Sequence, residues 1–196
     1  MGGRGPSKTT VLVGLPGVAA IRDDLRWADI FSKQGVGFVT LDQPEACFTA
    51  QGLTDEGKRI LEAVGKANLL LVVKGLNPDQ TRSLLASAVK PVFLRTSALP
   101  DKDILDLVKK TESTIGLVLG EDESAASYFA RLDEAKKAIG PEYLSIVSEQ
   151  CLWGKAGSGQ MLDVVAELVK AKYAVDELAN LFSGAFLRAL NRALRP

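Results

Sequence analysis

The 196-residue chain contains no histidine. That absence removes Ser-His-Asp and Cys-His nucleophile systems, histidine-ligated zinc and the usual proton shuttle near neutral pH. Any catalysis would rest on carboxylates, lysine, tyrosine, cysteine or a bound cofactor. Two cysteines, Cys47 and Cys151, are too few for a disulfide framework and suit a reducing compartment. Neither sign of charge is in excess, with 24 Lys+Arg against 24 Asp+Glu, so there is no basic surplus to neutralise phosphates or anionic lipid. Nucleic acid and membrane surfaces are therefore not expected partners. No apolar run is long enough to span a bilayer. Arg4 and Lys8 ahead of VLVGLPGVAAI imitate a signal peptide, yet Pro16 interrupts the run and no A-x-A site follows, so a cytoplasmic location is expected.

What is present is 46% apolar and 24% charged sequence, the balance of an ordinary globular domain. Residues 1–10, polar and glycine-rich, read as a flexible tail, and residues 11–196 as a single domain. Short apolar runs alternate with amphipathic stretches, the pattern of βα units around a parallel sheet. The expected strands are VLVGL (11–15), VGFVTL (36–41), LLLVV (69–73), PVFLR (91–95), TIGLVL (114–119) and YLSIV (143–147). Helical faces are marked by Trp27, Ile30 and Phe31, by Ile60, Leu61 and Val64, by Ile104, Leu105 and Val108, and by Tyr128, Phe129, Leu132 and Ala135. Gly140-Pro141 closes the last of these. A final helical region runs from about Met161 to Leu194, with Ser183-Gly184 as a candidate break. Six successive βα units admit a doubly wound sheet or a TIM-type barrel, and periodicity does not separate the two.

Few motifs carry chemistry. GGRGPSKT near the start imitates a phosphate loop, but it precedes a strand where the motif requires it to follow one. GKAGSGQ (154–160), with Gly157 and Gly159, follows a strand and leads to a helix start, where backbone N–H groups can hold an anion; a plain surface loop is the preferred reading. Lys74, Arg95, Thr96, Glu149 and Cys151 fall at strand ends, the positions that converge on one rim in barrel enzymes. Asp42 and Glu149 are thin provision for a hard cation, and Cys47 and Cys151 fit small hydrophobes better than reactive thiolates.

In order along the chain, GVGFVTL with QGLTDEGKRILEAVGKANLLLVV, KPVFLRTSALPDKDILDLVKKTES, RLDEAKKAIGPEYLSIVSE and ELVKAKYAVDELANLFSGAFLRAL resemble the second two-thirds of the renal (membrane) dipeptidase family, zinc-dependent TIM-barrel hydrolases of the amidohydrolase type. The resemblance spans about residues 11–194 and implies an α/β fold, an incomplete TIM-barrel-like (βα) repeat of about six parallel strands. The family's first two βα units, with their His-x-Asp metal pair, have no counterpart in this sequence. Its bridging glutamate falls on Pro16, its next two histidine ligands on Gly75 and Thr96, and its substrate-arginine loop on the short SALP. Only the last-strand acid persists, as Glu149.

One glutamate cannot build a binuclear zinc site. The resemblance thus implies a truncated, metal-site-deficient member, with no cofactor, no metal site and no catalytic residues expected. The preferred expectation is a non-catalytic structural or interaction subunit whose open sheet edges at VLVGL and YLSIV are covered by a protein partner or by self-association. The alternative is a small anionic-ligand-binding protein, or a divergent hydrolase, using Lys74, Arg95, Thr96, Glu149, Cys151 and the Gly157–Gly159 loop at the former mouth.

Overall fold

The computed structural model describes residues 13–41, 47–120, 122–148 and 157–195. Among these residues eight strands follow in chain order: β1 (Val13–Leu15), β2 (Val36–Leu41), β3 (Phe48–Thr49), β4 (Gly52–Leu53), β5 (Leu70–Lys74), β6 (Val92–Thr96), β7 (Thr114–Leu119) and β8 (Leu144–Ser148). Six of them form one sheet, ordered β1-β2-β5-β6-β7-β8, and every pairing in it is parallel. The remaining two, β3 and β4, make a small antiparallel hairpin between β2 and the next helix, a feature absent from the strands expected above. The expected strand positions hold, with β5, β6 and β8 each displaced by one residue toward the C-terminus.

Strand order decides what periodicity left open. Spatial order equals sequence order, so right-handed crossovers place successive helices on the same face; a doubly wound sheet needs a reversal that is not present among the described residues. The result is an incomplete barrel wall of six strands. The outer layer comprises α1 (Ala19–Asp23), α2 (Arg26–Lys33), α3 (Asp55–Lys66), α4 (Pro78–Ser87), α5 (Lys102–Lys110), α6 (Ala125–Ile139) and α7 (Gly157–Lys170). Leu71, Val73, Leu94, Ile115, Leu117, Leu144 and Ile146 point outward into one core with Ile60, Val64, Leu84, Val108, Tyr128, Leu132, Val164 and Leu168 of these helices. Strands covered on both faces read as continuous apolar runs, and all six residues of β7 are buried.

Local chemistry fixes the helix starts. Thr54 accepts from the Gly57 N–H, and Asn77 and Gln80 form a reciprocal capping box with Pro78 in the first turn of α4. Asn77 and Gln80 also donate to the Ala50 and Thr49 carbonyls, so the same cap docks the hairpin. Such a cap contributes about 1 kcal/mol. The face assigned to Trp27, Ile30 and Phe31 is corrected: Ala28 is the buried residue of α2, while Trp27 and Ile30 are exposed and Trp27 stacks on Phe31.

The C-terminal region turns inward. Its break falls at residues 171–174, where Lys172 takes a left-handed φ of 59°, and not at Ser183-Gly184. After α8 (Val175–Ala179), Asn180–Gly184 form a π-helical turn that runs directly into α9 (Ala185–Ala193). Leu181 is buried in the outer core while its carbonyl accepts from Ser145 Oγ on the opposite face at 3.1 Å, so the turn wraps the free side of β8. From there α9 lies on the inner face, burying Ala189, Leu190 and Ala193 against Leu70, Val72 and Phe93. The two edges are consequently unlike: β8 is flanked by this turn, whereas among the described residues no strand pairs with the outer side of β1, where Val13 is 50% exposed.

Candidate functional site

The C-terminal ends of β5 and β6 bring together three of the residues expected at the mouth. Lys74 and Arg95 are register partners on adjacent strands, and Thr96 follows Arg95. All three are half-buried and line one cavity of about 440 Å³, closed on the helix side by Leu76, Pro78, Thr81, Leu99 and Ile104. Among the described residues no carboxylate pairs with the Lys74 ammonium. The one acid among the described lining residues, Asp101, is engaged by Arg82 at 3.1 Å. Lys74 and Arg95 thus set two cationic side chains at neighbouring strand ends of the rim.

Thr96 and Gly75 are shaped by the backbone. The Thr96 hydroxyl donates to the Ala98 carbonyl at 2.8 Å and accepts from the Ala98 N–H at 3.2 Å, so it closes its own turn. Gly75 has φ of +75° with nothing within 4 Å of a Cβ built on it. Conformation, not space, requires glycine there.

The loops of the mouth are held by a residue that no sequence motif marks. Arg131 of α6 donates from Nε and Nη2 to the two carboxylate oxygens of Glu123, from Nη1 to the Ser97 carbonyl at 2.6 Å and from Nη2 to the Val118 carbonyl at 3.1 Å. Both side chains are largely buried, at 19% and 17% exposed, and the guanidinium also stacks over Tyr128. This two-pronged pair ties the segments after β6 and β7 to each other. Gln160 adds a bond to the Glu123 carbonyl at 3.0 Å, which seats the start of α7 on the same loop. An arginine three residues after Tyr128, on the polar side of an amphipathic helix, gives no local signal of this role.

The other expected site residues fare differently. Gly157 and Gly159 belong to the first turn of α7, so the expected 154–160 loop is helical from Gly157 onward. Asp42, Glu149 and Cys151 lie outside the described residues. Cys47 is buried, and that burial, with Glu56 nearby, pushes its thiol up to about 11. A thiol so protonated at neutral pH is a core side chain, not a nucleophile. Among the described residues no three of Cys, Asp and Glu cluster as metal ligands would, and no helix is long and apolar enough to cross a membrane.

The fold is that of the amidohydrolase and metallo-dipeptidase-like, TIM-barrel-related proteins. An amidohydrolase from Pseudomonas aeruginosa superposes with a TM-score of 0.73 at 13% identity, covering 93% of this chain and 72% of that one. The probable dipeptidase PvdM from Pseudomonas aeruginosa gives 0.74 at 15%, covering 92% and 68%. A metallo peptidase from Rhodobacter sphaeroides, liganded with a phosphinate mimic of the dipeptide L-Ala-D-Ala, gives 0.75 at 15%, covering 93% and 63%. At these identities the similarity is one of fold. No protein-family model and no curated protein matches the sequence.

Proposed function

We propose that this protein is a non-catalytic relative of the metallo-dipeptidases that binds a small anionic ligand at its strand mouth. The observation that carries this reading is the side-by-side placement of Lys74 and Arg95 in a cavity of about 440 Å³. Cations at a mouth oppose the binding of a divalent metal and favour an anion. By the resemblance to the renal dipeptidases, Gly75 and Thr96 stand where two zinc-binding histidines belong. Gly75 has no side chain to offer, and Thr96 spends its hydroxyl on Ala98. What remains of the mouth suits a small anion held by the Lys74 point charge, with Arg95 beside it.

Calorimetric titration of the purified chain with citrate and with inorganic phosphate tests the reading. Saturable binding of one anion per chain, weakened about tenfold or more in Lys74→Ala, is expected for the loss of one charge-assisted bond. Absence of binding, or binding indifferent to Lys74→Ala, would sink it.

A second reading, an interaction subunit, has its own support. The outer side of β1 has no partner strand among the described residues, and Trp27 and Ile30 are exposed on α2. Exposed edges and apolar patches invite pairing. Light scattering decides: a homodimer supports this reading, and a monodisperse monomer counts against self-association.

A further inference from the structure

Helix α7, the last of the outer layer, is apolar on two sides. Val164 and Leu168 are buried in the outer core, and the helix packs on α6. On the opposite side Leu162, Ala166 and Val169 are exposed, Leu162 at 68% and Val169 at 60%. They recur at the i, i+4, i+7 spacing that stacks side chains on one face of a helix, so they form a continuous strip of about two turns.

Helices α3 and α5 differ. The solvent side of α3 carries Lys58, Glu62 and Lys66, and that of α5 carries Lys102, Asp106 and Lys109. A helix side that faces water is polar in this way, whereas an apolar strip calls for a neighbour to cover it.

The charges beside the strip say what that neighbour is. Asp163 and Lys170 are both exposed and, seven residues apart, lie on one flank of the strip, Asp163 near its start and Lys170 at its end. In an antiparallel helix pair each flank faces its own counterpart in reversed order. A second α7 laid antiparallel on the first therefore sets Asp163 of each copy against Lys170 of the other. The twofold axis relating these two ion pairs passes beside Ala166, whose small side chain lets the helices approach closely. In a parallel pair the same flank would face the Val165 side of the strip, and neither charge would meet an opposite one. Lys170 also bonds to Glu167 of its own helix at 2.7 Å, with 70% of the lysine side chain exposed. Such an exposed pair is weak, and the three donors of the ammonium can serve both carboxylates.

We propose that this protein self-associates through α7, as an antiparallel twofold dimer with Leu162, Ala166 and Val169 at its centre and reciprocal Asp163 to Lys170 pairs along its flank. This deepens the interaction reading and rests on it, but it places the contact at the other end of the wall from β1 and Trp27. A strip of two helical turns is smaller than a standard interface of roughly 1,200 Å², so the dimer is weak and its population depends on protein concentration.

Sedimentation velocity of the full chain across a wide concentration range tests the inference, with Val169→Glu, Asp163→Lys and Lys170→Glu as variants. All three positions are exposed, and thermal melting checks that each variant folds. The wild-type chain is expected to shift from monomer to dimer as concentration rises. Val169→Glu should weaken the dimer about tenfold or more, because its charge enters the interface twice. Asp163→Lys and Lys170→Glu should each weaken it by setting like charges across the axis, and an equimolar mixture of these two variants should restore it, since both ion pairs then re-form. A dimer indifferent to Val169→Glu, and lost instead in Ile30→Glu, overturns the inference and leaves the interaction reading standing at the β1 end. A mixture no stronger than its parts overturns the antiparallel pairing and with it the inference. A chain that stays monomeric at every concentration overturns both the inference and self-association.

Discussion

Lys74 and Arg95 are paired in register across β5 and β6, and both line the cavity at the C-terminal end of the sheet. Parallel βα architecture directs strand-end side chains to this rim, where enzymes of the fold class place their chemistry. Two cationic side chains hold the position here.

Gly75, next to Lys74, is expected to be intolerant of side chains for a backbone reason. Gly75→Ala must keep φ near +75° in open space, so the whole penalty is conformational. A loss of about 1 kcal/mol is expected by chemical denaturation. An unchanged stability would show that the turn adopts another conformation. The same constraint predicts that installing a histidine at this position destabilises the turn before it recruits a metal.

Gly116 presents the opposite case, since the constraint is space. A Cβ there would lie 2.5 Å from the Phe93 ring and 2.7 Å from Val147. Gly116→Ala should destabilise by about 2–3 kcal/mol through overpacking. It should also disturb the resonances of Phe186, which packs on Phe93. A neutral substitution would mean that Phe93 does not lie across the inner face as described.

Arg131→Met removes the clamp and leaves Glu123 buried without its counter-charge. Breaking a largely buried pair in this way costs about 3 kcal/mol. Beyond the lower melting temperature, faster amide exchange is expected at Ser97 and Gly120, whose loops the clamp joins. Arg131→Lys should rescue the charge but not the two-pronged geometry, and so only part of the stability.

Acid weakens the junction between α6 and the helices that follow it. Lys137 beside Asp133, together with the Tyr173 hydroxyl bonded to it at 3.0 Å, holds the Asp133 carboxyl below its usual range. Lys136 and the Ala174 N–H do the same for Glu177. Carboxyls with depressed folded values contribute stability that is complete above their unfolded values, near pH 4, and is lost as pH falls through the folded ones. Melting followed downward from pH 5 should show this decline, and Asp133→Asn should flatten part of it. A slope unchanged by that substitution would remove Asp133 from the explanation.

Much of this architecture is legible in the sequence. Runs such as LLLVV and TIGLVL announce strands buried on both faces, and Asn77-Pro78 announces a helix start. The strand-end rule then places Lys74, Arg95 and Thr96 on one rim. The one-residue displacements arise because a uniformly apolar run does not mark where pairing begins. The placement of α9 is not legible. Helical periodicity shows that Phe186, Ala189, Leu190 and Ala193 share a stripe, but a stripe of this kind fits either face of a sheet. Arg131 is invisible for a related reason, since its partners Ser97, Val118 and Glu123 are distant backbone and side-chain groups brought near only by the crossovers.

The most direct test is zinc binding by the purified chain, measured by equilibrium dialysis followed by elemental analysis. A mouth occupied by Lys74 and Arg95 predicts far less than one zinc per chain, unchanged by Lys74→Ala. One or more tightly held zinc ions per chain would contradict the account and restore a metal centre to this fold.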